Sequence, residues 1–146
     1  MKRLIDLFKV QLQRKQTIPI ASVGILFLLI SFLLGISDNP PGIWMAMAGL
    51  TLLAFSFVHH WREPSKYGTL FAVSAIAFPV LVLLHNIFEG LNMHLGPIPV
   101  IYQLFNGLSV IAFIAAVLII PGTAVVGFLG GVFWLVKGWI SPEQES

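Results

Sequence analysis

The chain has 146 residues, 58% of them hydrophobic and only 10% charged, with a mean hydropathy of +0.94. Ordinary soluble domains carry roughly 25% charged residues, and a chain this short has too little polar side chain to cover its apolar groups in water, so the expected class is an all-α integral membrane protein. Cysteine is absent, which excludes disulfides, thiolate metal centres and cysteine nucleophiles. The net charge of +2 comes from basic residues flanking apolar segments, a pattern that sets membrane orientation and does not indicate nucleic acid.

Residues 1–17 read as an amphipathic interfacial helix. Leu4, Ile5, Phe8 and Leu12 share one helical face, and Lys2, Lys9, Gln13 and Asp6 lie opposite. The basic face implies contact with anionic lipid or with a cytoplasmic partner. Leu34-Gly35-Ile36-Ser37-Asp38 makes a poor signal-peptidase site, so the first apolar segment is expected to be retained.

A single domain over 18–140 follows, with four stretches long enough to cross a hydrocarbon core, which takes roughly 17–25 helical residues. They are 18–36, 43–61, 69–91 and 108–136. Ser37-Asp38-Asn39-Pro40-Pro41-Gly42 and the polar segment 62–68 read as the connecting turns. Four spans put all eight lysines and arginines on one side, which the positive-inside rule makes the cytoplasm. The cell (inner or plasma) membrane is therefore the expected location, with both termini and the tail 141–146 cytoplasmic. Trp61, Tyr67, Trp134 and Trp139 are expected at the inner interface, Trp44 and Tyr102 at the outer one.

The last stretch is longer than one untilted span needs. Two geometries satisfy it: a single helix kinked at Pro121, or a hairpin at Pro121-Gly122 that would give five spans. The hairpin buries Gln103 and Asn106 and moves Lys137 outside, so the kinked helix is preferred. Pro79 is a second expected hinge, because it removes the helical hydrogen bond to Ala75. Gly127 and Gly131 form a small-xxx-small pair for close helix packing, within the chain, in a homo-oligomer or against a membrane-protein partner.

The chemistry-bearing residues gather near the outer end of the third span. His85 and Glu89, four apart, share a helical face, and ionisable groups within a span are costly enough to mark a functional position. Asn86 and Asn92 lie close by, and His94 follows. The segment 96–106, read as an interfacial loop or short helix, returns Tyr102 over the same surface. His85, Glu89 and His94 are thus candidate ligands for a divalent metal, or His85 and Glu89 a proton site. The plain alternative is a hydrogen-bonded pair that fixes helix packing.

No Gly-x-Ser-x-Gly, Walker or dinucleotide motif occurs, and no inverted repeat is visible. The expected function is a non-catalytic accessory factor or subunit of a membrane assembly. A small transporter, channel or ion-binding protein using His85 and Glu89 is the competing expectation, and a membrane metalloenzyme the third.

Overall fold

A computed structural model of the protein describes residues 14–36, 39–95 and 99–140, and every element among them is helical. The elements are α1 (Thr17–Leu34), α2 (Pro40–Val58), α3 (Pro64–Leu95), α4 (Pro99–Ile114), a π-helical turn (Ala115–Ile119) and α5 (Ile120–Ile140). Residues Pro99–Ile140 run as one helix, so four helices are long and apolar enough to cross a membrane. The expected amphipathic helix, apart from its last residues, and the tail 141–146 lie outside the described residues.

Proline sets three of the helix starts. Pro40, Pro64 and Pro99 each occupy the first helical position, where a missing N–H costs nothing and φ is already helical. This corrects three sequence boundaries. Pro40-Pro41-Gly42, read as turn, is the first turn of α2, which then ends at Val58 and leaves His59, His60 and Trp61 beyond it. The third helix spans Pro64–Leu95 in place of 69–91, and the fourth Pro99–Ile140 in place of 108–136. Of the two readings of 96–106, loop or short helix, the helical one holds from Pro99 onward, as the start of the long fourth helix. At the other boundary Gly35 ends α1 with φ 86°, the left-handed region that a side chain disfavours.

Pro121 does not make a hairpin. Its ring would clash with the carbonyl of Val117 in a regular α-helix, and the turn just before it widens: the Ile120 N–H reaches back five residues to the Ala115 carbonyl. A π turn of this kind absorbs the lost bond while the helix continues. Pro79 also lies inside an unbroken helix.

Extensive contacts run from α1 to α2, from α2 to the π turn and α5, and from α5 and α4 to α3. The helices therefore form an open row more than a ring closed on one core. Where they touch, glycine lets backbones meet. A Cβ on Gly49 would lie 2.8 Å from the Gly24 carbonyl oxygen, and one on Gly24 would lie 2.9 Å from that of Gly49. Along the other seams, a Cβ on Gly122 would sit 2.8 Å from Thr51 Oγ1, and one on Gly127 2.6 Å from the Phe71 backbone nitrogen. Gly130, not Gly131, is the second close approach of α5 to α3, since its Cβ would strike the Tyr67 ring while that of Gly131 would have ordinary clearance at 3.7 Å.

Hydroxyls fasten the same seams. Ser31 donates to the Gly42 carbonyl across the α1–α2 hairpin (2.7 Å), and Tyr67 donates to the Val58 carbonyl (2.9 Å). Ser74 and Thr123 are 2.9 Å apart, α3 to α5. Tyr67 is 2% exposed, a packed anchor against Val58 and Val126.

Large apolar side chains instead cover the outside, among them Phe32, Leu33, Ile76, Phe133 and Ile140. The helices also differ in length. At 1.5 Å per residue, α1 and α2, with 18 and 19 residues, are about 27–28 Å long, whereas the 32 residues of α3 and the 42 of Pro99–Ile140 give about 48 and 63 Å. Register shows where the excess lies. Gly127 meets Phe71, Thr123 meets Ser74 and Ser109 meets His85, while Thr51 of α2 meets Gly122. Pro40 lies eleven residues from Thr51, about 16 Å, which brings the end of α2 level with the His85–Ser109 pair. Beyond that level α3 and α4 continue without α2 beside them.

The α3–α5 seam supports a direct test. Gly127→Leu should lower stability by at least about 1–3 kcal/mol, because the added side chain meets backbone that cannot rotate away. Gly68→Ala, which meets nothing within 4 Å, should be neutral or slightly stabilising. Thermal melting of the purified variants in detergent compares the two.

Candidate functional site

The α3–α4 extension carries a cleft of about 430 Å³, with His85, Glu89 and Asn92 on one wall and Tyr102, Asn106 and Ser109 on the other. Helical spacing creates both walls. On α3, steps of four and three residues place His85, Glu89 and Asn92 on one face; on α4, steps of four and three do the same for Tyr102, Asn106 and Ser109. Aromatic contacts hold the walls together: Phe88 stacks on Phe105 with centroids 6.1 Å apart, and the His85 ring lies 5.2 Å from that of Phe113.

His85 is the centre of the polar network. Its Nδ1 is 2.8 Å from Ser109 Oγ and 3.1 Å from the Ser109 carbonyl oxygen, and its Nε2 is 3.6 Å from Glu89 Oε2. If Nδ1 accepts from the Ser109 hydroxyl, Nε2–H faces the carboxylate; if Nδ1–H donates to the carbonyl, Nε2 offers a lone pair to the cleft. The Glu89 side chain is half exposed and that of His85 about a quarter. Glu89 therefore stands on the helix surface at the cleft mouth and is not enclosed by protein. Asn92 Oδ1 is buried without a partner, a polar group that a ligand in the cleft could satisfy.

Not every expected residue joins the cleft. His94 is exposed and its Nδ1–H donates to the Gly90 carbonyl one turn back (2.9 Å), while Asn86 donates to the Val82 carbonyl (2.8 Å). Neither lines the cavity. Among the described residues no three His, Cys, Asp or Glu side chains converge as metal ligands, so His85 and Glu89 are brought together without His94.

Ser109 is the residue that sequence reasoning missed, since one serine in an apolar helix looks like ordinary packing. Its three-residue spacing from Asn106 was the available signal. Ser109, His85 and Glu89 have the connectivity of a nucleophile, base and orienting acid, but two features work against acyl transfer. The serine is only 6% exposed, and it sits inside a helix whose own hydrogen bonds occupy the backbone N–H groups that would otherwise stabilise an oxyanion.

At the opposite end of the row, basic residues gather. Arg14, Lys15, Gln16, His59, His60 and Arg62 line a cleft of about 320 Å³. The Arg62 guanidinium lies 5.2 Å from the Trp134 ring centroid and Lys137 Nζ 4.6 Å from it. Burial, followed by the charges of Arg14, His59, Lys66 and Arg62, holds the His60 imidazole below the ordinary histidine value of 6.5. His59 is anchored differently, its Nδ1–H donating to the Ser56 carbonyl at 2.8 Å.

Comparison with known protein families, with characterised proteins and with solved structures returned no match. The reading of function therefore rests on the geometry above.

The lowered His60 value fixes a pH dependence. Above the ordinary value of 6.5, folded and unfolded chains both hold the ring neutral and the site contributes nothing. As pH falls through that value the unfolded chain takes up a proton first, so stability declines until the folded value is also passed. Melting temperature should fall between about pH 7.5 and about pH 5.5, and His60→Gln should remove part of that fall.

Proposed function

We propose that the protein is a multi-pass membrane protein with its N- and C-terminal segments on the cytoplasmic side, acting without catalysis as an accessory subunit of a larger membrane assembly. The outward apolar surface supports insertion, because Leu33, Ile76 and Phe133 cover the outside of the row where a soluble fold would carry charge. Orientation is supported by Arg14, Arg62 and Lys137 gathering at one end of the helices.

One observation carries the accessory reading: the distribution of polarity. Between the basic end and the His85 cleft the internal polar side chains are hydroxyls such as Ser56, Ser74 and Thr123, each within hydrogen-bonding distance of a carbonyl of its own helix. A transporter needs a polar route through both halves of the bilayer, and these seams offer none. The extension of α3 and α4 past the end of α2 supports the same reading. A 48 Å helix would need a tilt of about 50° to fit inside a core of about 30 Å, beyond the usual range of 0–40°. The outer turns of the pair, with Met93 and Val100 about three-quarters exposed, therefore reach past the core, where apolar side chains suit a partner's surface.

Because the chain lacks cysteine, orientation can be tested with single substitutions. Met93→Cys should react with a membrane-impermeant maleimide on intact cells, and Ser65→Cys only after permeabilisation. The opposite pattern would invert the topology, and recovery of the protein in the soluble fraction would end the membrane reading.

A second reading is favoured by the His85–Glu89 approach in an open cleft: binding of a proton or a divalent metal near the outer face. The two readings differ in what Glu89→Gln does. If the chain is an accessory subunit, this variant should accumulate normally, co-migrate with the same assembly on native gels and leave cells lacking the wild-type gene fully complemented. Normal accumulation with lost complementation would instead move the function into the cleft. Elemental analysis of wild type beside a His85→Ala, Glu89→Ala double variant then separates metal from proton.

A further inference from the structure

Among the described residues, the cleft at the basic end is a concentration of like charge without a counter-charge. Only two acids occur among the described residues. Glu63 is held by Lys66 at 2.7 Å, and Glu89 lies at the far end beside His85. Among the described residues, the cavity wall of Arg14, Lys15, His59, His60 and Arg62 therefore contains no carboxylate. The positive-inside rule explains why basic residues share one side of a membrane, but it does not require them to converge on one cavity. Convergence costs Coulomb energy that a bound anion would offset.

Three features make the cavity more than a patch of charge. Arg62 lines the cleft and carries the planar fork of N–H donors that phosphate recognition uses, its guanidinium carbon lying 5.2 Å from the centroid of the Trp134 ring outside the lining. His60 Nδ1 is buried without a partner in the same wall, so a hydrogen-bonding position there is unfilled. The walls also come from two separate parts of the chain, the entry to α1 and the turn between α2 and α3, so the cavity lies at a junction of helices and not along one side chain row.

We propose that this cleft binds a phosphate group, held by Arg14 and Arg62 with Lys15 and His60 completing the wall. The proposal rests on the membrane reading for its preferred source. A cavity at the cytoplasmic ends of α1 and α2 lies at headgroup level, where anionic glycerophospholipids present phosphate to basic pockets between helices. A soluble phosphate would satisfy the same groups.

The test uses the full-length protein exchanged into vesicles of mixed phosphatidylglycerol and phosphatidylcholine, followed by gentle extraction and measurement of the lipids that remain bound. Wild type should retain phosphatidylglycerol in excess over the bulk ratio. Arg14→Gln with Arg62→Gln should reduce that excess by about tenfold or more, as expected for loss of charge-assisted hydrogen bonds worth roughly 1.5–3 kcal/mol. Lys137→Gln, outside the cleft, should leave it unchanged. The charge-retaining pair Arg14→Lys with Arg62→Lys should keep part of it, and helicity measured on each sample separates lost binding from lost folding. Displacement of the lipid by excess inorganic phosphate would identify a site that also takes soluble phosphate; resistance to it would assign the headgroup. No excess in the wild type, or an equal excess in the Gln double variant, would overturn the proposal. An inverted maleimide pattern would instead overturn the cytoplasmic placement, so the two failures remain distinguishable.

Discussion

The architecture depends on residues 99–140 remaining one helix. Pro121 should break it, since it lacks a donor and its ring collides with the preceding turn. The π turn over Ala115–Ile119 moves the strain upstream and lets Ile120 bond to Ala115, so the axis continues. Both α2 and α3 pack against this helix, while α1 is joined mainly through α2. A chain break at Pro121 would separate the α2 contact at Gly122 from the cleft residues on α4. The widened turn is therefore what places Gly122, Thr123 and Ser109 on a common support.

Contacts along that support are made by backbone and hydroxyl more than by interdigitated large side chains. The buried apolar residues include two alanines on the α4 and π segments, Ala112 and Ala116, with Val126 one turn past Gly122. Small residues allow close approach, and close approach gains dispersion contacts between the helix backbones. This explains why so short a core can hold four helices. It also explains the outward direction of leucine, isoleucine and phenylalanine, which have no room in seams where a single Cβ would meet backbone.

Helix number and apolar character were legible from composition and segment length, because those signals need only counting. Boundaries were less so. Proline reads equally well as a turn former and as the first residue of a helix, and at Pro40, Pro64 and Pro99 the second role prevails. Gly127 was identifiable from its spacing, but Gly24 and Gly49 lie on different helices with nothing in either sequence to pair them. His85 and Glu89 were visible as charges out of place. Ser109 was not, because a hydroxyl in an apolar helix usually bonds to its own preceding turn, as Ser74 does to the Leu70 carbonyl. Its link to His85 depends on the register of α3 against α4, which sequence spacing alone does not contain.

That register also limits how the two polar ends can influence one another. Among the described residues no His, Lys, Arg, Asp or Glu lies between them on the α3–α5 seam, where Tyr67 donates to the Val58 carbonyl, and a hydroxyl has a single proton to give. If Ser74 donates to Leu70 and Thr123 to Ile120, the 2.9 Å contact between them carries no hydrogen; if one turns to the other, its own helix loses a bond. Neither arrangement passes a proton along the row. Mechanical coupling would need α3 to slide on α5, yet Gly127 sits against the Phe71 backbone and Gly130 against the Tyr67 ring. A slide of one turn would bring Val126 or Trp134 to the position that Gly130 now holds against the Tyr67 ring. The basic cleft and the His85 cleft thus lie at opposite ends of the helices, with no proton relay joining them along the described seam.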